Sequence, residues 1–116
     1  MKYMLMFWDD DSAEEPADSG PGMLAAIRSW VDEMTARGIR LDGSPLSYAT
    51  EARIVRVRDG EMLVSDGPFM ETKEQVGGYD LIECSDLETA LKVAAAHPLA
   101  STATVEVRPL EEFPGD

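Results

Sequence analysis

Asp59-Gly60 stands between two runs of alternating residues, Arg53 to Arg58 and Glu61 to Ser65. Two residues that both accept positive φ close a type I′ β-hairpin, because its twist matches that of the flanking strands. The turn sets the register: Val57 faces Met62 and Val55 faces Val64 on one side, and Arg58 faces Glu61 on the other. The Arg58–Glu61 pair is exposed and of small energetic value. Just beyond, Asp66-Gly67-Pro68 is a second turn. The charged run Glu71-Thr72-Lys73-Glu74 and the Gly77-Gly78 pair then lead into another strand.

The segments on either side repeat one pattern. Tyr3 to Phe7 is a short strand, apolar on both faces, which predicts a central position in a sheet. Met23 to Arg37 is a helix, with Leu24, Ile27, Val31 and Met34 at spacings of three and four and Trp30 widening the stripe. Gly38 is placed to end it in the left-handed conformation. Ile39 to Leu46 is a second strand. Gly78 to Cys84 is another, with Tyr79 and Leu81 on one face and Ile82 on the other. Ser85-Asp86-Leu87-Glu88 reads as a capping box with Ser85 as the cap, before a helix carrying Leu87, Ala90, Leu91, Ala94 and Ala95 on one face. His97-Pro98 stops that helix, and Thr104 to Arg108 is the last strand. The order is β-α-β, an inserted hairpin, then β-α-β, a ferredoxin-like α+β sandwich in a single domain over 1–116. Both helices cover one sheet face. With Leu5, Phe7 and Leu81 toward the helices, Met4, Met6 and Ile82 line a bare face, which predicts a homodimer formed sheet against sheet.

Composition narrows the function classes. The formal charge of −13 over 116 residues repels phosphates, which argues against nucleic acid and anionic membrane surfaces as partners. No apolar run reaches the ~20 residues of a membrane span, and the N-terminus lacks the basic flank and cleavage site of a secretory signal. Cys84 is the single cysteine, which excludes an intramolecular disulfide and fits a reducing, cytoplasmic setting as a structural thiol. Asp9, Asp10, Asp11, Glu14, Glu15 and Asp18 lack the glycine spacing and terminal glutamate of an EF-hand loop, so that segment reads as a solvated loop and no metal is expected. With no phosphate loop, nucleophile elbow or metal-spaced histidine pair, no cofactor is expected either.

The run VRDGEMLVSDGPFMETKEQVGGYDLIE, the later AAAHP and the terminal VEVRPL resemble the DGPF branch of the YCII-related proteins. The likeness extends from KYMLMFW to Leu110. It implies a dimeric α+β barrel with a cleft between helix-free sheet faces. In the broader group, the resemblance implies a histidine near the start of the first helix and an aspartate after the second as a catalytic pair, with a lyase-type dehydrochlorinase among the members. Those positions fall at or near Met23 and His97 here, so neither residue type is retained. The resemblance also implies a possible association with sigma factors.

The candidate residues follow from chemistry and position. Asp66 begins a turn and is either a structural acceptor for backbone amides or a general base at a strand end. His97, the only histidine, is either a helix-end residue or an acid/base partner of Asp66 or Glu106. Glu71, Lys73 and Glu74 are a solvated loop or cleft residues, Lys73 suiting an anionic ligand. Glu106 and Arg108 share a strand face and would satisfy each other if half-buried. Two functions stay open: a small dimeric enzyme or ligand-binder acting on a polar or aromatic metabolite, with acid/base lyase-like chemistry at most, and a non-catalytic ligand-sensing or sigma-factor-associated module.

Overall fold

The computed structural model describes residues 1–10 and 21–112; the acidic segment Asp11–Asp18 and the chain's last four residues lie outside them. β1 (Lys2–Asp10), α1 (Pro21–Ala36) and β2 (Arg40–Pro45) come first, followed by a 3-10 turn at Ala49–Glu51. The hairpin is β3 (Arg53–Arg58) and β4 (Glu61–Asp66). β5 (Glu74–Glu83), α2 (Leu87–Ala95), a second 3-10 turn at Pro98–Ser101 and β6 (Thr104–Pro109) complete the chain. The main sheet runs β2-β5-β1-β6 and every pairing in it is antiparallel. This is the ferredoxin-like arrangement, with the first and penultimate strands of the main sheet in its centre. No helix among the described residues is long and apolar enough to cross a membrane.

The core lies between this sheet and the helices. Tyr3, Leu5 and Phe7 of β1 are buried together with Trp30, Met34, Ile82, Ala90, Val93 and Ala94. One expectation is corrected here. Ile82, not Leu81, faces the helices, because β1 and β5 pair with Tyr3 opposite Ile82 and Met4 opposite Leu81. Residues directly opposite in an antiparallel pair share a face. The open face therefore carries Met4, Met6, Tyr79 and Leu81, and the helix face of β5 carries Asp80. Gly77 forms a bulge opposite the Phe7–Trp8 step, which bends β5 and brings Val76 level with Trp8.

The helix ends show how local chemistry selects the boundaries. Gly38 takes φ 73°; its N–H donates to Thr35 O and the Ile39 N–H to Met34 O, the double bond of a Schellman cap. At α2 the cap differs from expectation. Asp86, not Ser85, is the N-cap, and its carboxylate accepts from the Thr89 N–H at 2.8 Å. Hydrogen bonds from Thr89 hold the Asp86 carboxyl below its usual range. A carboxylate at this position also complements the helix dipole, which a serine hydroxyl does not. Asp86→Ala should lower the melting temperature by on the order of 4 °C, and Ser85→Ala should leave it unchanged. A thermal scan of both variants reads the difference.

The buried face of α2 is also turned from the expected one. Ala90, Val93 and Ala94 point inward, while Leu87 and Leu91 are exposed. The Trp30 indole explains the turn: its Nε1 donates to the Val93 carbonyl at 3.1 Å, and only small side chains let a helix come that close to a buried aromatic ring.

The hairpin forms as the sequence predicts. Asp59 and Gly60 have φ 50° and 77°, and the pairs Arg58–Glu61, Val57–Met62 and Val55–Val64 stand in register. It is a separate two-stranded sheet rather than an extension of the main one.

Candidate functional site

A cavity of about 310 Å³ lies on the helix side of the sheet. Its walls are apolar: Phe7 from β1, Leu24, Ile27 and Val31 from α1, and Leu99 from the turn after α2. Leu24, expected in the helix core stripe, is well exposed because it stands at this cavity rather than in the packed core. The polar groups are few and come from different elements: His97, the Arg40–Asp80 pair, Ser44 and Asp9. An apolar pocket with a few convergent polar groups is the usual form of a small-molecule site.

His97 reaches this wall because of the residue after it. Pro98 holds His97 extended (φ −69°, ψ 134°), since a residue before proline avoids the helical region. The chain leaves α2 there, and the ring turns back to cap the next 3-10 turn, its Nδ1 accepting from the Leu99 N–H at 3.0 Å. The ring packs against Phe7 and Trp30, with centroid distances of 4.5 and 4.6 Å. It stands just past the end of α2 and is 4% exposed. Burial, and secondarily the Arg40 charge, lower its pKa to about 4. The imidazole is therefore neutral at pH 7. Because Nδ1 accepts a backbone hydrogen, its one proton sits on Nε2. Among the described residues no buried side-chain nitrogen or oxygen lacks a partner, and no internal hydrogen bond engages Nε2. His97 is one of the residues that line the cavity.

Arg40 and Asp80 were not singled out by sequence. Arg40 Nε donates to Asp80 Oδ1 at 2.7 Å, and the carboxylate is buried. Burial raises the Asp80 pKa; the hydrogen bond and charge of Arg40 pull it back, and the Asp42 charge raises it further. Gly43 makes room for the pair. A β-carbon there would fall on Asp80 Oδ1 and within 2.7 Å of Arg40 Nη2 and the Tyr79 carbonyl oxygen. The available signal was an aspartate inside a central strand, in the same phase as Ile82, where charged residues are disfavoured.

The other candidates stand elsewhere. The Asp66 side chain is 90% exposed and lies 3.6 Å from Arg53 across the hairpin, outside the cavity that His97 walls. Glu71 and Lys73 are exposed and border a shallow depression beside the Gly67-Pro68 turn, with Glu74 nearby at the start of β5. Glu106 and Arg108 lie on the open sheet face and pair at 2.6 Å, as their alternation suggested; Glu106 also accepts from Trp8 Nε1 at 3.0 Å. The structure thus brings neither Asp66 nor Glu106 to the His97 cavity. Cys84 is half-buried, and burial raises its thiol pKa, the condition of an unreactive sulfur. Among the described residues no three histidine, cysteine or acidic side chains converge on a possible metal position.

Fold and cavity together define a small α+β domain of ferredoxin topology with room for one small molecule between its helices and its sheet. The chain belongs to the family of the YCII-related domain, whose profile matches residues 1–114. It is 47% identical over 127 aligned residues to an uncharacterised protein of Rhizobium meliloti (strain 1021), covering all of this chain and 98% of that one. In structure it is similar to the 5-chloro-2-hydroxyhydroquinone dehydrochlorinase TftG from Burkholderia phenoliruptrix AC1100, solved with 2,5-dihydroxybenzoquinone. That match has a TM-score of 0.56 at 14% identity and covers 97% of this chain and 96% of the other. At that identity it shows a common fold.

Proposed function

We propose that the protein binds a small ring compound bearing an oxygen or anionic substituent in the helix–sheet cavity, with His97 as the group that donates to it. Any chemistry there is acid/base and lyase-like. The observation that carries this reading is the state of His97: the only histidine of the chain, neutral, with its Nδ1 engaged by Leu99 and its ring lining an apolar cavity beside Arg40. A cavity of about 310 Å³ is at the small end of ligand sites and suits one substituted ring. Phe7, Ile27 and Val31 supply its apolar contacts; Arg40 supplies the charge for an oxyanion. The hydroxylated quinone in the structural neighbour belongs to the same size class.

All of these walls come from one protomer, so this site differs from the expected cleft between two sheets. Asp66, Glu71, Lys73, Glu106 and Arg108 stand outside it, and the proposal assigns the acid/base role to His97 alone. The run from Val57 to Glu83 supports membership of the DGPF branch within the family.

A lone histidine makes the test direct, since its ring nitrogens give one set of NMR signals. Titration with a panel of hydroxylated quinones and hydroquinones should shift the Nε2 resonance. An anionic ligand should also raise the ring's pKa, because the negative charge stabilises the imidazolium. His97→Asn keeps an acceptor for the Leu99 N–H but removes the Nε2 donor, and should weaken binding about tenfold. If no compound of the panel moves the resonance at millimolar concentration, the reading fails.

A further inference from the structure

Asp80 is 5% exposed, yet among the described residues its carboxylate accepts a single hydrogen bond, from Arg40 Nε to Oδ1 at 2.7 Å. A carboxylate can only accept, and its two oxygens have room for several donors. The guanidinium is as little used. Its bond to Asp80 takes the N–H on Nε, and among the described residues no hydrogen bond engages either Nη. Neither group is sealed in, because no fully buried side-chain nitrogen or oxygen there lacks a partner; the unused atoms keep some surface. Both residues line the cavity together with His97 and Ser44.

From this arrangement we infer that the Arg40–Asp80 pair sets the specificity of the cavity and selects a ring with two neighbouring oxygens, one of them carrying a hydrogen. The hydroxyl donates to Asp80, and the adjacent oxygen accepts from an Arg40 Nη. This rests on the cavity being a ligand site, as proposed above, and adds the spacing and hydrogen content of the ligand's polar edge.

The spacing follows from contact within the pair. Its acceptor and its donors belong to groups already in hydrogen-bond contact, so the ligand atoms that meet them must be neighbours too. Oxygens on adjacent ring carbons satisfy that condition. Oxygens placed farther round the ring match one group and leave the other desolvated without a partner, which is the costly outcome. The polar edge is also firmly held. Arg40 comes from β2 and Asp80 from the central strand β5, and sites built on strands hold their geometry better than sites on loops. Gly43 lets the pair lie against the β2 backbone, since a β-carbon there would overlap Asp80 Oδ1 and stand 2.7 Å from Arg40 Nη2. Burial keeps the Asp80 pKa above its ordinary value even with Arg40 in place, so one bond does not offset the desolvation and a second donor is favourable.

Catechol, resorcinol and hydroquinone have the same atoms and differ in the spacing of their hydroxyls. Titrations followed by the ring resonances of His97 should show catechol binding at least tenfold more tightly than either isomer. Catechol dimethyl ether has the spacing but no hydrogen to donate, and should be weaker than catechol by a similar factor. Asp80→Asn keeps an acceptor for Arg40 and puts a donor in place of the other oxygen. It should bring catechol down to the level of its isomers. Arg40→Leu with Asp80→Leu removes the pair without leaving a buried charge and should level the three compounds in the same way, which covers a failure of Asp80→Asn to fold. A pair that only supports the fold would change stability in these variants and leave the isomer ratio as it is. Equal affinities of the three isomers for the wild-type chain, or an isomer ratio unchanged in the variants, overturn the inference while the cavity remains a ligand site. If no compound moves the His97 resonances at millimolar concentration, both readings fall.

Discussion

Replacing Arg40 by leucine should destabilise the fold by about 3–5 kcal/mol at pH 7, read as a drop in the midpoint of urea unfolding. Asp80 is 5% exposed and Arg40 is its ion-pair partner, at 2.7 Å. With that partner in place, burial already holds the Asp80 pKa above its ordinary value. Desolvation therefore outweighs the attraction even in the intact pair, and the carboxylate alone would be far worse placed. Removing one member of a buried pair leaves the other without compensation, which is why the single change is costlier than removal of both. Arg40→Leu with Asp80→Leu should accordingly recover most of the loss. The deficit should also depend on pH. In the single variant the folded Asp80 pKa rises further, so the deficit is full well above that pKa and fades as acid protonates the carboxyl. A deficit below about 1 kcal/mol for Arg40→Leu would place the pair among weak surface ion pairs and remove Arg40 from the argument for an electrostatically prepared cavity.

The features that were legible in the sequence are those decided by a few adjacent residues. Asp59-Gly60 determines its hairpin because two neighbouring residues must both take positive φ, and Gly38 ends α1 for the same kind of reason. The face of β5 was not legible, since Leu81 and Ile82 are adjacent and both apolar, so the alternation supports either phase. Only pairing with β1 decides it, across nearly eighty residues of chain. The turned face of α2 has a similar cause: Leu87 and Leu91 fit a helical stripe, but the indole of Trp30 meets the small residues instead.

The candidate site divides along the same line. His97 could be named because a lone histidine is conspicuous by type. Its burial, tautomer and depressed pKa depend on Phe7, Trp30 and Arg40, which are remote in sequence. Arg40 and Asp80 are forty residues apart, and nothing in the sequence around either one points to the other. Asp66 belongs to a conspicuous one, yet its side chain is exposed on the hairpin, and the density of acids and glycines there is largely turn chemistry. The stretches that identify the family thus reach the cavity only through their ends, Gly77 to Asp80 and His97, while the turn at Asp66 stands outside it.

Acidification should expose His97 through stability before the carboxylates dominate. Its folded pKa is about 4, below the ordinary value near 6.5. Below pH 6.5 the unfolded chain takes up a proton that the folded chain refuses, so stability falls with pH across the window from 6.5 to 4. The contribution is fully present above pH 6.5. By pH 5 about 2 kcal/mol of it should be gone, while most ordinary carboxylates are still ionised. His97→Asn should start less stable, having lost the ring's packing against Phe7 and Trp30, but its stability should change little between pH 7.5 and 5. The slope, not the starting value, separates titration of the imidazole from loss of packing. The NMR midpoint of the single histidine gives the same quantity without unfolding: near 4 in the native chain and near 6.5 in urea. A native midpoint within half a unit of 6.5 would mean that the ring is solvated and charged part of the time, and the cavity would lose its fixed donor. If the midpoint is low, the imidazole is a weak base in the empty cavity and becomes a stronger one only when a bound anion favours its protonated form. Proton transfer would then be tied to occupancy of the site.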